Sequence, residues 1–363
     1  MKNEKISSLH DDFLIPKAGE DLDGYKDINA IRNSSEQFNS RQEVVAARIE
    51  QFGFDIKDVE DKMGKKITEL TWTEYTALAS EAIKSHYDVV VASVFDEHLC
   101  RGAKGADEKE RMDKLLKMTK IYEKMGVECG VNLIKSKNDF KEQGNLVLGL
   151  EGGAHLIKSV GDVRKMAAGG IKLFGLQYGG DNSISGANGL TELGQEVVKD
   201  LFKNNLIVDL AHSGFKTRKM VMEIAGEMDK GNLVAYTHGC TEEDMNDYWK
   251  SKVSERFLYK EEVKKMIKMG SIIGIGVTKP FFDNTRKVAE RINDTAQLDG
   301  GIDKIAIGTD FGGIEAEWIN EIKSAEDFTI LADMLSKDFN MDDESIRKVL
   351  RTNVKEWIKK AID

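Results

Sequence analysis

The chain has 363 residues, of which 40% are hydrophobic and 32% charged, and its formal net charge is −10 at pH 7. This length suffices for one large domain or two ordinary ones, and the composition is that of a globular protein. The negative charge argues against a nucleic-acid partner, because phosphates would be repelled. No apolar run approaches the roughly 20 residues needed to cross a bilayer, so we expect no membrane partner.

The three cysteines, Cys100, Cys129 and Cys240, are widely separated and form no C-x-x-C pair. A zinc site built from thiolates is therefore not supported. A sparse, odd number of cysteines is typical of a reducing compartment. The first residues, MKNEKISSLHDDF, contain no apolar run of the length found in signal peptides. We therefore expect a cytoplasmic protein.

Eight short apolar runs rich in β-branched residues recur along the chain. Most are continuous rather than alternating, which is typical of strands buried on both faces of a parallel sheet. We predict that each run forms a strand. The runs are Ile6–His10, Val89–Phe95, Leu146–Glu151, Ile171–Tyr178, Leu206–Ala211, Leu233–Thr237, Ser271–Val277 and Ile305–Thr309.

Segments of helical period separate the later strands. Apolar residues recur at three-to-four spacing over residues 193–202, 219–224, 261–267 and 345–358, and Thr191 is placed as the N-cap of the first. Alternating strands and helices predict a parallel sheet with right-handed crossovers. Eight strands favour an α/β fold of the (β/α)₈ TIM barrel type, and a doubly wound open sheet is the alternative.

The early part of the chain departs from this alternation. We predict one domain over residues 1–363, with an inserted helical excursion at about residues 20–85, because no Gly/Ser-rich linker marks a boundary. Residues 41–52 and 73–84 have helical periodicity within this insertion.

Metal-ligand residue types stand at the ends of five predicted strands. In a (β/α)₈ barrel, catalytic groups come from the C-terminal ends of different strands. His212 and His238 are one βα unit apart, so they would stand on neighbouring strands and face the same volume. Alternation in an extended segment would place both side chains of the H-x-D pair on one face. The candidates are His10 with Asp12, Glu151, His212, His238 and Asp310.

Imidazole and carboxylate without thiolate suit zinc, and also manganese, iron or cobalt. Glu151 is the natural bridge between two such ions, since a carboxylate has two oxygens, and Asp310 is placed to act as a base. His86 precedes strand two and is expected to be structural, whereas His98 and His155 are candidate pocket residues. Neither the G-x-G-x-x-G nor the G-x-S-x-G motif occurs.

Several segments together resemble the membrane (renal) dipeptidase family, peptidase family M19, among the amidohydrolase-like barrels. The resemblance covers most of the chain and is strongest from about Ser136 to Asp310. The segments are SKNDFKEQGNLVLGLEGG, GLTELGQEVVKDLFKNNLIVDLAHSG, VAYTHG, SERFLYKEEVKKMIKMGSIIGI and IAIGTDFGGI.

The resemblance implies roles for these residues. His10, Asp12 and Glu151 would hold one metal, and Glu151, His212 and His238 would hold a second. Arg256 would bind a substrate carboxylate with paired hydrogen bonds, and Asp310 would handle protons.

Tyr178 stands where the family has a histidine that steadies the oxyanion, and its phenol could donate a substitute hydrogen bond. Gly312 stands where a second aspartate is common. The chain therefore looks like a divergent member of the family.

Three functions remain open on this basis. The resemblance favours a binuclear metallo-hydrolase that cleaves a dipeptide. A second hypothesis is another amidohydrolase-type reaction, on a small amide, lactone, N-acyl amino acid or phosphoester. A third is a non-catalytic barrel that binds a ligand. We expect a small dipeptide-like substrate, and association into a homodimer stays open.

Overall fold

The computed structural model describes residues 5–11, 49–67, 72–95, 108–178, 180–245, 254–279, 281–311 and 321–362. Eight parallel strands form a closed barrel in the order β1, β2, β4, β5, β8, β9, β10, β11 and back to β1. The eight are β1 (Ile6–Asp11), β2 (Tyr87–Val94), β4 (Asn145–Leu150), β5 (Ile171–Gly175), β8 (Ile207–Asp209), β9 (Val234–Tyr236), β10 (Ile272–Ile275) and β11 (Ile305–Ile307).

Closure is made by the pairing of β11 with β1, where Ser8 lies opposite Ile307. Within the residues that the structure describes, three shorter strands lie outside the ring. One is β3 (Asn132–Leu133), which pairs with the start of β4, and the others are β6 (Ser185–Gly186) and β7 (Gly189–Leu190), which form a small antiparallel hairpin.

Each predicted apolar run overlaps one barrel strand, so the (β/α)₈ prediction is confirmed and the open-sheet alternative is wrong. The apolar runs are continuous because their strands are buried on both faces, as predicted. Every residue of β2 and β4 is buried, because one face of each strand lines the barrel interior and the other packs against helices.

Eleven α-helices are assigned within the described ranges. They are α1 (Ile56–Met63), α2 (Trp72–His86), α3 (Glu108–Cys129), α4 (Val160–Ala168), α5 (Glu192–Lys203), α6 (Phe215–Glu227), α7 (Lys260–Met269), α8 (Thr285–Ala296), α9 (Phe328–Phe339), α10 (Asp343–Arg347) and α11 (Asn353–Ala361).

The helix boundaries follow local chemistry. The Thr191 hydroxyl accepts a hydrogen bond from the Gly194 amide, as predicted for an N-cap of α5. The periodic run at 345–358 differs from prediction, because a π-helical turn at Lys348–Thr352 separates α10 from α11. The Asn353 side chain after this turn donates to the carbonyls of Ile302 and Ile305 at the base of β11.

The N-terminal excursion is described in part. Helices α1 and α2 lie within the predicted insertion, and residues 49–51 are helical, while the rest of the predicted 41–52 helix lies outside the described residues. Within the described ranges, no helix has both the length and the apolar character required to cross a bilayer.

Candidate metal centre

Three side chains converge at the C-terminal end of the barrel. Glu151 directly follows β4, His212 follows β8, and His238 follows β9. The Nε2 atom of His212 lies 2.8 Å from Oε1 of Glu151 and 2.8 Å from Nε2 of His238. The Nε2 atom of His238 lies 3.8 Å from the same Glu151 oxygen. One ligand atom from each residue falls within 4.8 Å of the others.

The turn that carries His212 is conformationally strained. His212 has a φ of 60°, in the left-handed region that non-glycine residues adopt infrequently. Asp310, which follows β11, has a φ of 58°. Such backbone conformations cost of order 1–3 kcal/mol and cluster at functional sites. Two of the strand-end candidates therefore occupy conformations that the surrounding barrel must impose.

The orientation of the His238 ring is set by a buried hydrogen-bond chain. The Thr237 hydroxyl donates to Oδ2 of Asp209 at 2.7 Å, because a carboxylate can only accept. Its oxygen lies 3.0 Å from Nδ1 of His238, so it accepts the Nδ1–H. In the neutral imidazole, this assignment leaves Nε2 of His238 without a proton, and that atom is directed at His212 and Glu151. The Asp209 carboxylate is itself fixed, since Oδ1 accepts from the amides of Ala211 and Thr237.

Two glycines make room for the segment that carries His238. A Cβ added to Gly274 in β10 or to Gly308 after β11 would lie 1.9 Å from the Thr237 carbonyl oxygen. At Gly308 it would also lie 3.0 Å from Cα of His238. The chain after β9 can therefore approach the neighbouring strands only where they have no side chain.

The donor set fits a divalent metal. Two imidazole Nε2 atoms and one carboxylate oxygen, with no thiolate, are ligands that zinc accepts and that other divalent transition metals share. The second oxygen of Glu151 accepts a hydrogen bond from the buried Ser93 hydroxyl at 3.1 Å. A supported ligating carboxylate and a supported ligating histidine are the usual arrangement around protein-bound metals.

Comparison with known proteins agrees with this architecture. The family model for membrane dipeptidase (peptidase family M19) matches residues 59–361. This chain belongs to the M19 family. Its members are metallo-hydrolases that use divalent metals. A search of curated proteins finds no match.

Solved structures share the fold at low sequence identity. An amidohydrolase from Pseudomonas aeruginosa is 20% identical with a TM-score of 0.59, over 76% of this chain and 89% of that one. A metallopeptidase named dipeptidase AC is 13% identical with a TM-score of 0.63, over 78% and 88% of the two chains. A metallopeptidase from Rhodobacter sphaeroides, liganded with a phosphinate mimic of the dipeptide L-Ala-D-Ala, is 12% identical with a TM-score of 0.66, over 98% and 99%.

Tyr178 packs beside His212, one of the three converging side chains of this M19 protein. Its ring centroid is 4.6 Å from that of His212 and 5.1 Å from that of Phe95. Tyr178 thus packs directly on a candidate ligand. Asp310 is half-buried after β11, a strand that pairs with β1 on one side and β10 on the other.

Arg256 is half-buried at the end of a 3₁₀ turn, Ser254–Arg256. Its backbone carbonyl accepts a hydrogen bond from the Tyr236 hydroxyl at 3.3 Å. Within the parts of the chain that the structure describes, its guanidinium forms no ion pair.

The structure describes only some of the remaining sequence candidates. His10 lies in β1, but its side chain, Asp12 and His98 lie outside the described residues. His155 Nε2 is 2.8 Å from Nη2 of Arg111 and therefore accepts that hydrogen bond, which occupies the nitrogen. His86 ends α2 immediately before β2, at the end of the barrel opposite the candidate metal centre, where a structural role was expected.

Sequence reasoning missed two residues that support the site, Asp209 and Thr237. The available signal was an acidic residue inside the continuous apolar run at 206–211. A buried aspartate needs hydrogen-bond donors. Asp209 and Thr237 are one βα unit apart, so Thr237 on the neighbouring strand could have been recognised as such a donor.

Proposed function

We propose that this M19 protein is a metal-dependent dipeptidase that binds two divalent ions, for which zinc is the favoured metal. The proposal rests on one observation above all, the convergence of the Glu151 carboxylate with the Nε2 atoms of His212 and His238. Membership of a metallo-hydrolase family supports the reaction class, and the dipeptide mimic held by one similar metallopeptidase supports the substrate class.

The proposed ligand sets share Glu151. His10, Asp12 and Glu151 would hold one ion, and Glu151, His212 and His238 would hold the other. The chemistry that such ions supply when bound is a water of lowered pKa and a polarised carbonyl group. Thr237 keeps Nε2 of His238 available for this role by accepting from Nδ1.

Other residues of the chain would act on the substrate directly. The Tyr178 hydroxyl would donate a hydrogen bond to the scissile carbonyl oxygen as negative charge develops there. Asp310 would accept the proton from the attacking water and pass it to the leaving amine. The guanidinium of Arg256 would bind the C-terminal carboxylate through two parallel hydrogen bonds.

A second candidate is a related hydrolysis of a lactone, an N-acyl amino acid or a phosphoester on the same metals. The observation that favours it is Tyr178, because a phenol in place of an imidazole changes the donor that faces the substrate. Purified protein with added zinc or manganese should therefore be assayed on a dipeptide panel beside these three substrate classes. Hydrolysis of a lactone or phosphoester with every dipeptide untouched would contradict the dipeptidase proposal.

Two measurements test the metal requirement. Elemental analysis should find a divalent metal in the purified protein, and absence of both metal and activity after metal addition would refute either enzymatic function. Glu151→Gln keeps the size of the side chain but removes its charge, so activity should fall by more than the roughly 10–100-fold that follows loss of an outer hydrogen bond. An active Glu151→Gln variant would exclude Glu151 as the bridge.

The role of Arg256 has its own test. Arg256→Met should raise KM for a dipeptide by roughly 10–100-fold, since charged hydrogen bonds contribute about 1.5–3 kcal/mol. The same variant should act on the corresponding dipeptide amide, which has no carboxylate, with an unchanged KM. An equal rise for both substrates would argue against carboxylate binding.

A further inference from the structure

Arg218, in helix α6, is a fully buried arginine, with no exposed surface. All five N–H donors of its guanidinium are used. Nε and Nη2 donate to the two oxygens of Glu262 at 2.9 and 2.8 Å, forming a paired contact. The other three donors bind backbone carbonyls, those of Ser213 at 2.6 Å, Glu255 at 2.7 Å and Phe257 at 2.8 Å.

These carbonyls belong to two segments of the candidate site. Ser213 directly follows His212, and Glu255 and Phe257 flank Arg256 on both sides. The carbonyl between them, that of Arg256, accepts from Tyr236 at 3.3 Å. Three consecutive carbonyls are thus held by buried side chains, and one guanidinium joins their segment to the turn that carries His212.

Glu262 completes the arrangement from helix α7. It is 6% exposed, and its Oε2 also accepts from the amide of Tyr259 in the N-terminal capping box of that helix. The carboxylate therefore neutralises the buried arginine and is itself fixed by the helix start. A buried ion pair is weak evidence for stability, since apolar residues of similar volume often replace it without loss.

We propose that Arg218 and Glu262 are positioning residues that set the place of Arg256 relative to the turn of His212. The consequence for substrate binding rests on the proposed function, in which Arg256 binds the substrate carboxylate. The pair would fix the distance between the carboxylate-binding group and the metal centre, and so favour substrates whose carboxylate lies one residue from the scissile bond. Because Arg256 would contact only the substrate carboxylate, its misplacement should weaken substrate binding rather than slow the chemical step.

The test uses the double variant Arg218→Met/Glu262→Met, which removes both charges and leaves neither buried alone. KM for a dipeptide should rise roughly 10–100-fold with kcat little changed, whereas KM for the dipeptide amide should stay the same. Arg218→Lys keeps the charge but loses the paired geometry and the bridging bonds, so it should shift KM in the same direction. Arg218→Lys also tests the positioning role if the double variant does not fold.

A second readout is independent of the substrate. Hydrogen–deuterium exchange of the 254–258 segment should become faster in either variant. Arg351→Lys is the matched control, because Arg351 pairs with the buried Asp88 at the start of β2, at the other end of the barrel. It should leave both KM and exchange at 254–258 unchanged.

The outcomes separate this inference from the proposed function. Unchanged exchange at 254–258 in the variants would overturn the positioning role. Faster exchange with an unchanged dipeptide KM, while Arg256→Met raises it, would overturn the link to substrate binding. If the wild-type protein cleaves no dipeptide, the proposed function fails, and exchange at 254–258 still decides whether Arg218 and Glu262 hold the segment.

Discussion

The Thr237 hydroxyl oxygen lies 3.0 Å from Nδ1 of His238, and the same hydroxyl donates to Asp209 at 2.7 Å. A residue with no direct part in chemistry thereby decides which ring nitrogen of His238 faces Glu151. Hydrogen bonds of this kind are part of a metal site, because they fix both the tautomer and the ring orientation of a ligand.

Thr237→Val removes this hydroxyl while nearly preserving side-chain shape. We expect metal affinity to fall roughly 10–100-fold, because the Nδ1–H loses its acceptor and the ring loses its orientation. Competition with a chelator of known affinity measures the change. Thr237→Ser, which retains the hydroxyl, is the control and should bind metal nearly as tightly as wild type. Equal affinities for the Val and Ser variants would contradict the role of the hydroxyl.

Tyr178→Phe tests whether the phenol acts on the substrate. The ring packs on His212 and Phe95, and the variant keeps that packing. If the hydroxyl stabilises the developing oxyanion, kcat should fall roughly 10²–10³-fold with little change in KM. Steady-state kinetics on the best dipeptide measure both constants. Tyr178→His restores the histidine expected from the family and should retain activity, whereas a fully active Phe variant would exclude the hydroxyl from the reaction.

Gly308→Ala places a methyl group 1.9 Å from the Thr237 carbonyl oxygen. The backbone must move, so we expect a loss of about 1–3 kcal/mol in the free energy of unfolding together with weaker metal binding. Chemical denaturation of the metal-free protein measures the first effect and metal titration the second.

Gly226→Ala is the matched control for this substitution. A Cβ at Gly226, in helix α6, meets nothing within 4 Å, so this variant should gain about 0.5–1 kcal/mol. A stable Gly308→Ala variant with normal metal affinity would show that the close approach does not position His238.

His86 predicts a pH dependence of stability far from the candidate site. Burial is the main cause that lowers the pKa of His86 below 6.5, with Lys5 acting in the same direction and Glu326 and Glu81 opposing it. The unfolded chain therefore binds a proton at higher pH than the folded chain does. Neutral His86 therefore makes its full contribution to the free energy of unfolding above about pH 6.5. This contribution is lost as the pH falls through the lowered pKa of the folded state.

Unfolding midpoints between pH 7.5 and 5 measure this dependence, with comparison of wild type and His86→Gln. The wild-type midpoint should fall more steeply below about pH 6.5. Parallel curves would mean that protonation of His86 is not coupled to folding.

Sequence alone determined the barrel and the positions where its chemistry should lie. The reason is local, because a strand buried on both faces must be apolar throughout, and a polar residue that ends such a run then stands out. Glu151, His212 and His238 were found in this way, and the structure brings all three together.

Only the tertiary structure decided how those side chains are oriented and held. The hydrogen bonds that run from Asp209 through Thr237 to His238 connect residues at the ends of two strands. The contacts of Arg218 join residues up to 44 positions apart. Sequence periodicity reports burial along one element, whereas hydrogen bonds between elements depend on strand register and helix packing, which no local pattern encodes. The candidate ligands could therefore be predicted from the sequence, but the hydrogen bonds that position them could not.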